Sequence, residues 1–217
     1  MVSGPKSVAD AFVNQLSDAS FWTDAESTFG GAISGLVAGA VLGILTGVIF
    51  SRSALLERAM APFLTFANSL PRPALAPIFI LWFGLGFTPK AMVAASVVYF
   101  VMLTSTLSGL QGIEHDIEQL AESLTMSARQ RFFKIELPSS LPSIVGGLRL
   151  GVVYSILGAV LSEMVGAYSG LGQRLTALTS NFDVAGSFAV LIAMGVMTMI
   201  LDFAVSGIDK LVQNRAR

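Results

Sequence analysis

Five apolar stretches dominate the chain, at 28–50, 59–83, 91–110, 144–165 and 184–207. About 20 apolar residues in helical form cross a hydrocarbon core, and a backbone in lipid must satisfy its own hydrogen bonds. The expected fold is therefore all-α and polytopic, with about five transmembrane helices. Composition agrees, since only 12% of the 217 residues are charged, against about 25% in soluble domains. One membrane domain, 28–217, is expected to follow an N-terminal segment, 1–27, with no room for a second soluble domain of ordinary size.

The second stretch is the least regular, because it contains Pro62, Pro71, Pro73 and Pro77. Between the third and fourth lies a long loop, 111–143. If this loop is cytoplasmic, the inside segments hold Arg52, Arg58, Arg129, Arg131, Lys134, Arg149, Lys210, Arg215 and Arg217, while Lys6, Lys90 and Arg174 lie opposite. Basic residues are retained on the cytoplasmic side, so the N-terminus is expected outside and the C-terminus inside. The first 27 residues lack the apolar core of a signal peptide. Val8, Phe12, Val13 and Leu16 fit one face of a short helix on the membrane surface, or the segment is a plain polar tail.

No enzyme chemistry is visible. The chain has no cysteine, and it has no Gly-x-x-x-x-Gly-Lys-Ser/Thr phosphate loop, so it is not its own ATPase. The single His115, between Glu114 and Asp116, reads as surface chemistry, and neither a metal nor a cofactor is expected on this chain. A net charge of −1 gives no reason to expect nucleic acid as a partner; the lipid bilayer is the expected environment.

Within the loop, Gln119–Pro138 reads as an amphipathic helix, with Leu120, Leu124, Phe132 and Ile135 at helical intervals. Leu137-Pro138 is expected to stop it, because proline biases the preceding residue away from helical geometry. Such a helix outside the membrane suggests a docking surface for a soluble partner. The alternative is a helix resting on lipid through its basic residues.

Arg72 is placed near mid-membrane, about fourteen residues beyond Arg58 at roughly 1.5 Å per residue. A charge there usually faces a water-filled cavity or a partner, and the flanking Pro71 and Pro73 free backbone carbonyls. Glu163, near one end of its span, reads as Arg72's partner, as part of an outer gate, or as an interfacial carboxylate. Asp202 is expected near the inner interface, and Trp82 in an aromatic belt. Gly31, Gly35, Gly39, Gly43 and Gly47 recur every four residues, a stripe that lets another helix approach closely.

Segment Gln119–Pro138 resembles the cytoplasmic EAA loop of ABC importer permeases, whose pattern is Glu-Ala-Ala, three residues, Gly, nine residues, Ile-x-Leu-Pro. Ala121, Ile135, Leu137 and Pro138 fall in register, while Gln119, Leu120 and Thr125 replace Glu, Ala and Gly. Asn68–Gly86 and Ser162–Gly172 are similar to two further segments of the nitrate/sulfonate/taurine branch. Members of that branch usually have six spans, the first ahead of a segment like Pro5–Val8.

The resemblance implies a transmembrane permease working with a second permease copy or paralogue, cytosolic ATPase subunits that hold ATP and Mg, and an extracytoplasmic substrate-binding protein. It places Gln119, Leu120, Ala121, Leu124, Thr125, Arg129, Phe132, Ile135, Leu137 and Pro138 on the ATPase-docking coupling helix. Asn68, Pro71, Arg72, Pro73 and Glu163 are assigned to the translocation pathway. The implied cargo is a small anion such as a sulfonate, taurine or nitrate, with riboflavin, a pyrimidine precursor or bicarbonate as alternatives. An ion-coupled secondary carrier is the rival class, disfavoured because no internal repeat or paired intramembrane acids are visible.

Overall fold

The computed structural model describes residues 4–113, 121 and 123–215, and the described elements are helical. They are α1 (Pro5–Ser17), α2 (Ala19–Ser51), α3 (Ala54–Ser69), a 3-10 turn (Arg72–Leu75), α4 (Ala76–Phe83), α5 (Phe87–Gln111), α6 (Ala128–Val165), α7 (Leu171–Ser180) and α8 (Val184–Arg215). His115, Gln119 and Leu120 lie outside the described residues.

The glycine stripe explains the innermost pairing. Gly31, Gly35, Gly39, Gly43 and Gly47 of α2 face Lys90, Ala94, Val98, Met102 and Thr106 of α5, also spaced by four. Matching residues advance together, so the two helices run parallel. Their backbones approach so closely that a Cβ at Gly35 would lie 2.4 Å from the Ala94 Cβ and 2.8 Å from the Ala91 carbonyl oxygen. This seam is internal to the subunit.

Helix α6 runs antiparallel to that pair, with Gly158 against the backbone of Ala94 and Gly147 against Ser105. Apolar side chains fill the remaining space: Phe21, Ile156, Leu171 and Met194 toward one end, and Leu36, Val98, Met102, Val152 and Val205 toward the other. Helix α1 is neither a free tail nor an isolated surface helix. Its Phe12 packs against the first of these clusters, while Val13 stays exposed.

Among the described residues, four helices are long and apolar enough to cross a membrane: Ala19–Ser51, Phe87–Gln111, Ala128–Val165 and Val184–Gly207. Because α2 and α5 point the same way, the chain between them must return across the bundle, and it does so in pieces. The expected span 59–83 is not one helix. It breaks after Ser69, where Leu70 is extended (φ −66°, ψ 131°) ahead of Pro71, as the residue before a proline prefers. The fold is thus an all-α multi-pass bundle whose five traverses comprise four continuous helices and one broken one.

The loop also departs from expectation. No single helix runs to Pro138; the chain breaks at Thr125, whose φ is 49°. Helix α6 then starts at a capping box between Ser127 and Gln130 and passes straight through Pro138. Residues Phe132–Glu136 are π-helical, with the Leu137 N–H reaching back to the Phe132 carbonyl. That wider turn absorbs Pro138, which offers no N–H and whose ring crowds the carbonyl four residues back in a regular α-helix.

Candidate functional site: a fastened bundle with a mid-depth groove

At one end of the bundle, α2, α5 and α6 converge on Glu163. The Lys90 Nζ lies 2.6 Å from Glu163 Oε1, and both side chains are almost fully buried, at 3% and 0% exposure. Thr28 Oγ1 donates to the same carboxylate at 2.9 Å, and the Gly172 backbone N–H donates to Oε2 at 2.9 Å. The carboxylate thus holds the start of α7 against α2 and α5. A Cβ at Gly170 would lie 2.2 Å from Glu163 Oε1, so only glycine leaves room. Lys90 also donates to Ser27 Oγ and to the Ser169 carbonyl, which satisfies all three ammonium protons. Glu163 is neither Arg72's partner nor an exposed interfacial carboxylate; it is the buried partner of Lys90.

Beyond this pair, Arg174 of α7 bonds Asp18, Asp24 at 3.0 Å, Gln15 at 2.8 Å and Ser20 at 2.9 Å. The Asp18 carboxyl is held down to about 2, first by the Ser20 hydroxyl and then by the Arg174 guanidinium.

Arg72 sits where the broken traverse passes α5. Its guanidinium donates to the Ser96 carbonyl and, at 2.9 Å, to Asn68 Oδ1, and it lies over the Phe100 ring at 4.2 Å. Among the described residues no carboxylate pairs with it. Ser96 lies nine residues inside α5, about 13 Å from its start, which puts Arg72 well within the membrane-crossing part. Asn68, Arg72, Phe100, Val101, Thr104 and Tyr154 line a groove of about 290 Å³. Of the residues assigned to the pathway, Asn68 and Arg72 are brought together here. Pro71 follows the break at Leu70, Pro73 falls in the 3-10 turn, and Glu163 lies elsewhere.

A second mid-depth charge was misplaced by loop counting. Arg149 is not in an inside loop but within α6, about 20 Å from both Glu136 and Glu163 along the helix. It forms a paired fork with Asp202 of α8, Nε to Oδ1 and Nη2 to Oδ2 at 3.1 Å each. Asp202 therefore shares that depth rather than lying near the inner interface.

At the opposite end from Glu163, Glu136 binds two arginines, Arg52 at 3.1 Å and Arg131 at 3.0 Å. The Arg52 guanidinium also covers the Phe132 ring at 4.1 Å. Ala121 is buried, whereas Leu124 (62%) and Phe133 (57%) present apolar surface, and Thr125 and Arg129 are exposed beside them. Phe132, Ile135 and Leu137 are half-buried on the α6 side, with Pro138 exposed. Sequence reasoning missed Lys90, Ser27 and Thr28. The available signal was that Lys90 heads the four-residue repeat that matches the glycine stripe.

The model of the family "Binding-protein-dependent transport system inner membrane component" matches residues 39–217. The chain is 32% identical over 189 residues to the formylaminopyrimidine transport permease protein ThiX of Halalkalibacterium halodurans, covering 87% of this chain and 75% of that one. It is 32% identical over 201 residues to the riboflavin transport system permease protein RibX of Chloroflexus aurantiacus, covering 93% and 75%. In fold it is similar to a chain of the MetNI methionine ABC transporter solved in inward-facing conformations, with a TM-score of 0.75, 17% identity, and coverage of 88% and 94%. With the family model matching most of its length and the fold agreeing, this chain belongs to the binding-protein-dependent transport system inner membrane components, as the permease subunit of an ABC importer.

Proposed function

We propose that the Glu136 end of the bundle faces the cytoplasm and docks a separate ATPase, which holds ATP and Mg, and that the Arg72 groove lies on the solute path. The observation that carries this reading is the exposed apolar surface of Leu124, in the turn ahead of Ser127, and of Phe133, the latter on the same helix as Arg129 and Arg131. Apolar contact inside a polar rim is the usual anatomy of a protein interface. The basic residues Arg52, Arg58, Arg129, Arg131 and Lys134 cluster toward this end, as expected for the cytoplasmic side. The N-terminus then lies outside and the C-terminus inside. A second permease subunit, identical or paralogous, covers the open face of the Arg72 groove, and an extracytoplasmic binding protein delivers cargo at the Glu163 end.

The cargo is a small planar heteroaromatic solute that presents acceptor atoms to Arg72 and a ring face to Phe100 and Tyr154. Guanidinium groups stack on rings and donate in a fixed fork, and ThiX and RibX are named for a pyrimidine and a flavin. A small sulfonate-type anion is the second reading, favoured by the absence of a carboxylate partner for Arg72 among the described residues. The test is co-purification with the candidate ATPase, comparing wild type with Leu124→Asp. Association lost in the variant supports the docking surface; a wild type that never associates overturns it.

A further inference from the structure

We propose that Glu136 is a positioning residue that carries displacement of the docking segment to α2 and α3, and so to the Arg72 groove. The inference rests on the ATPase-docking reading above.

Helix α6 follows the docking segment directly, because the chain is one helix from Ala128 to Val165. Helices α2 and α3 are not part of that helix, and at their junction Arg52 reaches it. There Arg52 follows the last residue of α2, and Ser53 caps α3 by accepting from the Leu56 N–H. Glu136 spans the gap, with Oε2 on Arg52 and Oε1 on Arg131 of the docking segment itself. Arg52 adds its stacking contact on Phe132. In the first turn of α3, Glu57 accepts from Gln111 Nε2 at 2.8 Å, which ties α3 to the end of α5.

One carboxylate therefore joins the docking segment's helix to the α2–α3 junction. Its side chain is only 15% exposed, so the two ion pairs are screened less than surface pairs. It also stands in the π-helical stretch, a local geometry that recurs at functional sites. Beyond the extended Ser53, α3 runs as one helix with Pro62 inside it to the break at Leu70 and then to Arg72. Glu136 thus adds a direct tie between the docking segment's helix and the α2–α3 junction, beside the packing of α2 and α5 on α6 farther along the bundle.

The chain has no cysteine, so Thr104→Cys on the groove wall gives one site for a membrane-impermeant maleimide. The permease–ATPase complex is reconstituted in this background, and labelling is timed with and without ATP beside ATP hydrolysis. ATP is expected to change the labelling rate. Adding Glu136→Gln or Arg52→Gln should cut that change about fivefold while the ATPase stays bound and active, and Arg52→Lys should restore part of it. An undiminished response in both glutamine variants overturns the proposal alone. Loss of ATPase binding in Glu136→Gln also overturns it, by assigning the residue to the docking surface. Failure of the unsubstituted complex to hold the ATPase overturns the docking reading instead, and this proposal with it.

Discussion

Lys90 Nζ and Glu163 Oε1 meet at 2.6 Å in the core of the bundle, although 73 residues separate them in sequence. A pair buried this deeply forms only with good geometry and further hydrogen bonds, which Thr28, Ser27, Ser169 and Gly172 provide. Removing one partner strands the other charge. Lys90→Met or Glu163→Gln should each cost about 3–5 kcal/mol, read as loss of thermal stability in detergent. Lys90→Met combined with Glu163→Leu should cost less than the two single changes added together. Additive losses would show that the charges are not coupled.

The Arg149–Asp202 fork lies where an unpaired charge costs up to about 3 kcal/mol. Asp202→Ala should therefore lower membrane yield and melting temperature, whereas exchanging the two residues, Arg149→Asp with Asp202→Arg, should recover much of the loss. No recovery would mean that each side chain answers to different surroundings.

Thr125 occupies the position where the EAA pattern has glycine, and its φ of 49° suits glycine and strains a β-branched residue. Thr125→Gly is expected to relieve about 1 kcal/mol, seen as slower proteolysis of the loop and a higher melting temperature. A lower melting temperature would show that the hydroxyl contributes more than the strain removes.

Asp18 supplies a pH dependence. Its pKa falls from 3.8 in the unfolded chain to about 2 in the fold, so its contribution to stability is complete above the unfolded value. That contribution is lost as pH drops through this window toward 2. Asp18→Asn should lower the melting temperature at pH 6, and the gap to wild type should narrow at pH 3. A gap of constant size would assign the effect to the capping hydrogen bond rather than to charge.

Much of the bundle was legible because hydrophobic length and glycine spacing are local signals. The stripe from Gly31 to Gly47 foretold close packing, and Ala121, Ile135, Leu137 and Pro138 carried the family. What was not legible depends on partners distant in sequence or on irregular backbone. Glu163 reads as interfacial until Lys90 is brought beside it. Arg149 counts with the inside charges until its fork with Asp202 of α8 fixes its depth within α6. Pro138 reads as a stop because no local rule announces a π-helical turn.

Helix α6 carries Glu136, Arg149 and Glu163 at three depths, each bound to a different neighbour. Three fixings along one rod forbid sliding and screw rotation, since either would break all of them at once. A change of angle between rods is the motion these three contacts oppose least, whereas a change in their register strains every one.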